Sequence, residues 1–272
     1  MIIGAMNHPH KELIEEIYKI GEMNFDYLEL TVEYPAATPE KIIQKKEKIK
    51  ELIESYNLGL LTHLPWYFSI AHPYQRIQKA INKEIENAMQ ISAFLGAKSI
   101  TLHPELVLPV SCQGRKKMIQ NSLNTIKFLN KTASNFGMQL CLETVDEKAL
   151  SLAEYKQILS EVDIKITLDI GHAQTYFSQN ILDLIDEIKK HVGHVHLHDG
   201  KGGEDHLPLG AGRMDLKDII KKLKEFYNST ITLEIHSADP YYLSYSKDRL
   251  EIEWYGKKEF EENKKYLKPE EK

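Results

Sequence analysis

The chain alternates between two hydrophobic periods over almost its whole length. Short runs of β-like composition cover Ile2–Met6, Tyr27–Val32, Gly59–Leu64, Ser99–His103, Gln139–Val145, Ile164–Ile170, Val192–His198 and Thr230–His236. Between them lie charged segments whose apolar residues recur every three or four positions, the spacing of a helix with one buried face. Lys41–Tyr56 shows this well, with Ile42, Ile43, Ile49, Leu52 and Ile53 set among lysines and glutamates. Thr38-Pro39-Glu40 places a capping hydroxyl before a proline at the first helical position, and Ser151-Leu152-Ala153-Glu154 is a capping box. Further helices are predicted over Lys11–Glu22, Tyr74–Leu95, Arg115–Phe136, Ile181–Lys190 and Leu216–Tyr227, with a last one from about Lys247 to Leu267.

Eight strands and eight helices in strict alternation predict a parallel sheet, because parallel neighbours need a long crossover between them. Eight such units in about 250 residues predict a (β/α)8 TIM barrel with its active site at the C-terminal ends of the strands. An open doubly wound sheet competes, but no Gly-x-Gly-x-x-Gly follows the first strand. No linker rich in Pro, Gly or Ser interrupts the pattern, so residues 1–272 are expected to form one domain. The charged stretch from Lys257 to Lys272 is expected to be a solvated helix with a frayed end.

Composition narrows the setting. The chain has 272 residues, 42% hydrophobic and 28% charged, which is globular rather than fibrous or disordered. Its two cysteines cannot build a disulfide framework, so a reducing cytoplasm is the default expectation. No apolar run reaches the ~18 residues of a membrane span, and Met1-Ile2-Ile3-Gly4 lacks the basic start of a signal peptide. A net charge of −5 offers no general field for nucleic acid. The unusual feature is twelve histidines, many beside Asp or Glu.

The ends of the predicted strands carry the chemistry. Strand two offers Glu29, strand three His63, strand four His103 and strand five Glu143. Strand six offers Asp169 with His172 a turn of loop later, strand seven His196 or His198, and strand eight Glu234. Their sequence neighbours, such as Leu28, Leu142, Leu168, Val195 and Leu233, are apolar and would face the helices, so the polar set shares the barrel interior. Any one of these, Glu29 for instance, could be a satisfied core group. Seven together cannot all be buried unpaired, and without a matching cluster of Lys or Arg they call for a cation. Mixed His, Asp and Glu ligation suits Zn2+, with Mn2+ the alternative. His194 is expected deeper in the barrel as a structural group, and His8, His10, His72 and His191 on the surface. Two loops extend the set: an acidic-histidine loop from Lys201 to Gly212, and an aromatic cluster, Trp66-Tyr67-Phe68, beside His63. Aromatic rings at a site mouth stack on sugars or bases. Trp66, Glu29 and Lys201 are the candidate substrate contacts.

These motifs resemble those of the xylose isomerase-like TIM-barrel superfamily, which includes sugar and sugar-phosphate isomerases and epimerases and the endonuclease IV family. The resemblance covers nearly the whole chain and rests on His63-x-Pro, Leu102-His103-Pro104, Leu142-Glu143, Asp169-x-x-His172, His196-Leu197-His198-Asp199, Asp205-His206-Leu207-Pro208-Leu209-Gly210 and Leu233-Glu234. In the endonuclease branch the matching residues hold three zinc ions. That implies His63, His103, Glu143, Asp169, His172, His196, Glu204, His206 and Glu234, with Glu204 standing where that pattern has Asp. In the epimerase branch Glu143, Asp169, His196 and Glu234 match the ligands of one metal, and the two glutamates also act as acid and base. One to three divalent ions are thus implied, with Glu143, Glu234 and His172 as the catalytic groups. The loop after Glu29, Thr31-Val32-Glu33-Tyr34-Pro35-Ala36-Ala37, has no basic residue to grip DNA. The expectation is therefore a sugar or sugar-phosphate isomerase or epimerase, with an endonuclease IV-like hydrolase of abasic DNA as the alternative. A non-catalytic metal-binding scaffold is a third reading. The expected partner is a small sugar, with no membrane; a homo-oligomer is left open.

Overall fold

A computed structural model describes residues 1–104 and 112–267; the expected frayed end beyond 267 lies outside the described residues. Eight parallel strands close into a barrel: β1 (Ile2–Met6), β2 (Tyr27–Thr31), β3 (Gly59–His63), β4 (Ser99–Leu102), β5 (Gln139–Glu143), β6 (Lys165–Asp169), β7 (Val192–Leu197) and β10 (Thr230–Leu233). Around the wall they run in chain order, with β10 closing against β1. The antiparallel pair β8 (Asp199–Lys201) and β9 (Glu204–Leu207) stands outside the wall, between β7 and β10.

Each crossover carries a helix: α1 (Leu13–Glu22), α2 (Pro39–Ser55), α3 (Gln75–Leu95), α4 (Cys112–Asn135) and α5 (Leu152–Glu161) follow the first five strands. The caps expected from sequence form. Thr38 accepts from the Lys41 N–H with Pro39 in the first turn, and Ser151 and Glu154 complete a reciprocal box. After β6 come two helices, α6 (Ile170–Tyr176) and α7 (Ile181–Ile188), before β7. α8 (Leu216–Lys224) precedes β10, and α9 (Tyr241–Tyr255) and α10 (Lys257–Leu267) follow it.

Three features differ from the strict eight-by-eight pattern. His172 lies in helix α6 rather than in a loop, because the Asp169 carboxylate accepts from the His172 N–H and caps a helix there (2.7 Å). The Lys201–Gly212 segment contains a hairpin whose tip, Gly202-Gly203, has positive φ at both residues, open to glycine without strain. The single terminal helix is two, broken at Gly256 with φ +88°.

The register sets two faces. Leu28 pairs with Leu60, Ile100 with Leu140, Leu142 with Ile166, and Leu168 with Val195; these pack under the helices. The alternate positions, Glu29, His63, Thr101, Glu143, Thr167, Asp169, His196 and Thr232, fall on the inner face. Apolar burial therefore stabilises the wall from outside, and the lumen is left to polar chemistry. Among the described residues no helix is long and apolar enough to cross a membrane.

Candidate active site

At the centre of the barrel mouth four side chains converge. Glu143 ends β5, Asp169 ends β6, His196 lies near the end of β7 and Glu234 follows β10, and their ligand atoms all lie within 4.8 Å of one another. His196 Nδ1 is 3.0 Å from Glu143 Oε1, 3.1 Å from Glu234 Oε2 and 3.7 Å from Asp169 Oδ2. One ring N–H cannot serve three carboxylates. Asp169 Oδ2 and Glu234 Oε2 are accordingly buried with no hydrogen bond. Orphaned carboxylate oxygens around one point, with an imidazole nitrogen among them, are the donor set of a divalent cation, so the residues fit the implied metal.

Two flanking groups widen the set. His63 and His103 both approach the second oxygen of Glu143, at 3.2 and 2.8 Å. On the other side His172 Nδ1 lies 3.2 Å from Asp169 Oδ2, and the rings of His172, His198 and His206 cluster with donor atoms within 4.8 Å. The hairpin makes this possible by carrying His206 back over the mouth. His198 serves to hold the arrangement: the His206 backbone N–H donates to its Nδ1, and its Nε2 lies 3.1 Å from Asp169 Oδ1.

Electrostatics follow from this crowding. Burial alone would raise the pKa of Glu143, but the imidazoles of His103 and His196 outweigh it and hold the carboxylate well below its usual range. Asp169 is held down likewise, by His172 and His198 against burial. Burial disfavours the charged form of His63, yet Glu143, Glu234 and Glu29 lift it to about 9.

Most of the sequence-derived set is brought together: His63, His103, Glu143, Asp169, His172, His196, His206 and Glu234 meet at the mouth, and Trp66 lines it. Three expected residues do not take their places. Glu29 is fully buried on the barrel floor, its carboxylate bound by His194, His196 and Thr232, and it is not a substrate contact. His194 is the structural group expected. Lys201 and Glu204 are paired across the hairpin and exposed to solvent, away from the cavity wall. Asp205 takes the acidic position instead. Its Oδ2 accepts from the Tyr176 hydroxyl at 2.7 Å and lies 3.6 Å from His172 Nε2. A φ of +52° at His206 breaks the strand alternation, so Asp205 and His206 both line the cavity.

Sequence reasoning also passed over Glu33, Arg115 and His236, all in the cavity wall. Glu33 is buried, accepts the Trp66 N–H at 3.2 Å, and has its pKa raised chiefly by burial. Its absence of basic neighbours in the β2 loop was a readable sign. Arg115 carried no signal, because its place follows from a long-range pairing with Glu154. His236 stacks on His206, with ring centroids 4.0 Å apart.

Among the described residues these side chains bound a cavity of about 850 Å³. A closed parallel barrel with carboxylates and imidazoles gathered at its strand ends defines the class. The sequence profile described as xylose isomerase-like TIM barrel matches residues 17–268, and the chain belongs to that family. A protein of Methanocaldococcus jannaschii, the uncharacterised MJ1311, is 26% identical over 240 residues, covering 82% of this chain and 79% of that one. Among solved structures, a D-tagatose 3-epimerase-like protein superposes with a TM-score of 0.82 at 24% identity, covering 98% of this chain and all of that one. The 3-keto-D-glucoside 4-epimerase of E. coli does so at 0.74 and 20% identity, over 93% and 99% of the two chains. An L-ribulose 3-epimerase matches at 0.76 and 16% identity over the whole of both chains. At these identities the structural likeness establishes the fold.

Proposed function

We propose that the protein is a divalent-metal-dependent isomerase or epimerase of a small sugar, with Glu143 and Glu234 as its proton-transfer pair. One observation carries the reading: Glu143, Asp169, His196 and Glu234 converge with two carboxylate oxygens left unsatisfied in the barrel lumen. The sugar epimerases that share the fold support the substrate class.

Those four residues would hold the cation, zinc or manganese. When bound it would polarise a sugar carbonyl and neighbouring hydroxyl, making the hydrogen on the adjacent carbon acidic. One glutamate carboxylate then takes that proton from carbon, and the other returns a proton to the opposite face, inverting the centre. Return to the neighbouring carbon, with a hydroxyl proton moved in the other direction, gives the isomer instead. Trp66 at the mouth offers a face for the sugar ring and helps exclude water. His172, beside Asp169 and facing Asp205, is placed to steer a substrate hydroxyl. The described lining carries Glu33, Asp146, Asp205 and Glu234 against Arg115 and Lys148. Arg115 is committed to Glu154 and to two backbone carbonyls. This acidic balance favours an unphosphorylated sugar over its phosphate.

A second reading, phosphodiester hydrolysis of abasic DNA, draws on His63, His103, His172 and His206, which offer donors for further cations. The acidic mouth weighs against it, since a DNA backbone needs Lys and Arg. Incubation with a panel of ketoses and ketose phosphates in heavy water, after loading with Zn2+ or Mn2+, separates the readings. Metal-dependent uptake of deuterium at carbon is expected. Metal-dependent nicking of an abasic duplex with no uptake across the panel would overturn the epimerase reading and promote the hydrolase.

A further inference from the structure

Beneath the four-residue centre lies a carboxylate that touches neither solvent nor the cavity. Glu29 is fully buried and has three partners. Thr232 donates its hydroxyl to Oε2, His194 Nε2 lies 2.9 Å from the same oxygen, and His196 Nε2 lies 3.1 and 3.2 Å from Oε1 and Oε2. An ionised carboxylate only accepts hydrogen bonds, so each partner presents a proton to it. The Nε2 of His196 is therefore its protonated nitrogen, and in the neutral ring Nδ1 keeps a lone pair. That lone pair points at Glu143, Glu234 and Asp169, at 3.0, 3.1 and 3.7 Å. In the metal-free protein a proton on Nδ1 meets these carboxylates, with Glu143 Oε1 at 3.0 Å; a metal ion binding among them takes that proton's place and meets the lone pair.

The floor is braced so that this orientation has no easy alternative. His194 Nδ1 pairs with the Thr230 hydroxyl at 2.8 Å, which occupies both nitrogens of that ring. The hydroxyls of Tyr27 and Thr232 are bonded at 2.8 Å. The Tyr27 ring fills space that Gly4 leaves open, for a Cβ at Gly4 would come within 2.2 Å of it. Glu29, His194 and His196 also stand close enough to hold an ion themselves. Their nitrogens and oxygens are already paired at hydrogen-bond distances, which makes them a support.

We propose that Glu29 is a positioning residue for the metal centre: it fixes His196 as the Nε2–H form and directs Nδ1 to the cation. The inference rests on the metal-dependent reading above and deepens it, by naming which atom of His196 binds and what aims it. Carboxylates behind a ligating imidazole orient the ring and raise its basicity, and their loss costs about 10- to 100-fold in metal affinity.

The test uses the whole chain labelled with 15N at histidine and loaded with 113Cd2+. Coupling of cadmium to His196 Nδ1, with a slowly exchanging proton on Nε2, is expected; the ring is assigned through its absence in His196→Asn. Coupling at Nε2 instead overturns the proposal while leaving metal binding intact. Glu29→Gln should weaken Cd2+ and Zn2+ binding about 10- to 100-fold, because an amide cannot accept from all three donors. Thr232→Val, which leaves the His196 contact in place, should weaken it less than about threefold. Equal losses in the two variants would mean a loosened floor rather than an aimed ligand, and would also overturn it. If Glu29→Gln does not fold, the coupling pattern of the native chain decides. A native chain that takes up no Cd2+ or Zn2+ sinks the metal-dependent reading itself.

Discussion

The Tyr155 hydroxyl donates to the backbone carbonyl of Glu143, so the helix after β5 grips the residue whose side chain stands at the centre of the site. Tyr155 is 1% exposed and packs in the wall between strands and helices. Tyr155→Phe keeps that packing but strands a buried carbonyl. It should cost about 1 to 2 kcal/mol, measured by urea unfolding of chelated protein. It should also loosen metal binding modestly, since the end of β5 loses its tether. An unchanged unfolding midpoint would show that the bond holds nothing in place.

Glu143→Gln and Glu234→Gln should each lower turnover about 10²- to 10⁴-fold while the barrel stays folded. The fold rests on the apolar outer faces of the strands, and chelated variants should melt near the chelated native chain. Circular dichroism melts, run beside the deuterium-uptake assay, check both halves. Full turnover in Glu234→Gln would remove that residue from the proton-transfer pair.

The raised pKa of His63 gives a pH dependence of definite sign. His63 sits at about 9, above the ~6.5 of an unfolded chain. Folding therefore takes up a proton between these values. Its stabilisation is complete below about pH 6.5 and is lost as pH rises through about 9. Chelated protein should lose thermal stability across that window, whereas a bound cation displaces that proton and should flatten the curve. Calorimetric titration of Zn2+ in buffers of differing ionisation heat should show proton release near pH 7.5 that fades toward pH 9.5. A chelated protein whose midpoint stays level or climbs from pH 7 to 9 contradicts this account.

Trp66 is 51% exposed at the cavity edge, its backbone N–H donating to Glu33. Trp66→Ala should leave the melting temperature nearly unchanged. If the indole stacks on the sugar, kcat/KM should fall by a few-fold to about tenfold, matching the ~0.5–1.5 kcal/mol of an aromatic contact. Steady-state kinetics on the turned-over sugar measure it, and an unaltered kcat/KM would place the sugar elsewhere in the cavity.

Much of this was readable from the one-dimensional pattern, for identifiable reasons. Strand ends such as Glu143 and Asp169 stood out because period-two alternation pairs an apolar outward neighbour with a polar inward residue. The pattern could not tell depth along a strand. Glu29 and His63 look alike in sequence, yet Glu29 pairs with Leu61, two residues before His63, and so lies a layer lower. Asp205 was hidden behind Glu204 because simple alternation puts Glu204 and His206 on one face, and a single left-handed residue at His206 undoes that rule. The short helix holding His172 was hidden as well, since seven residues are too few to show a helical period.

The hairpin between β7 and α8 is closed at its base by one side chain. Asp199 accepts from the N–H groups of Gly200, Gly210 and Met214 at 2.8, 2.9 and 3.0 Å, and Gly212 must be glycine-small because a Cβ would meet the Asp199 carboxylate at 2.1 Å. Everything from Lys201 to Leu209 is thus a loop tied off like a drawstring bag, with Asp205 and His206 inside and Gly202-Gly203 at its free tip. Residues added at that tip would extend outward without moving a barrel strand. Changes in one short stretch of chain can in this way reshape the rim of the cavity while Glu143 and Glu234, at the ends of their strands, stay where they are.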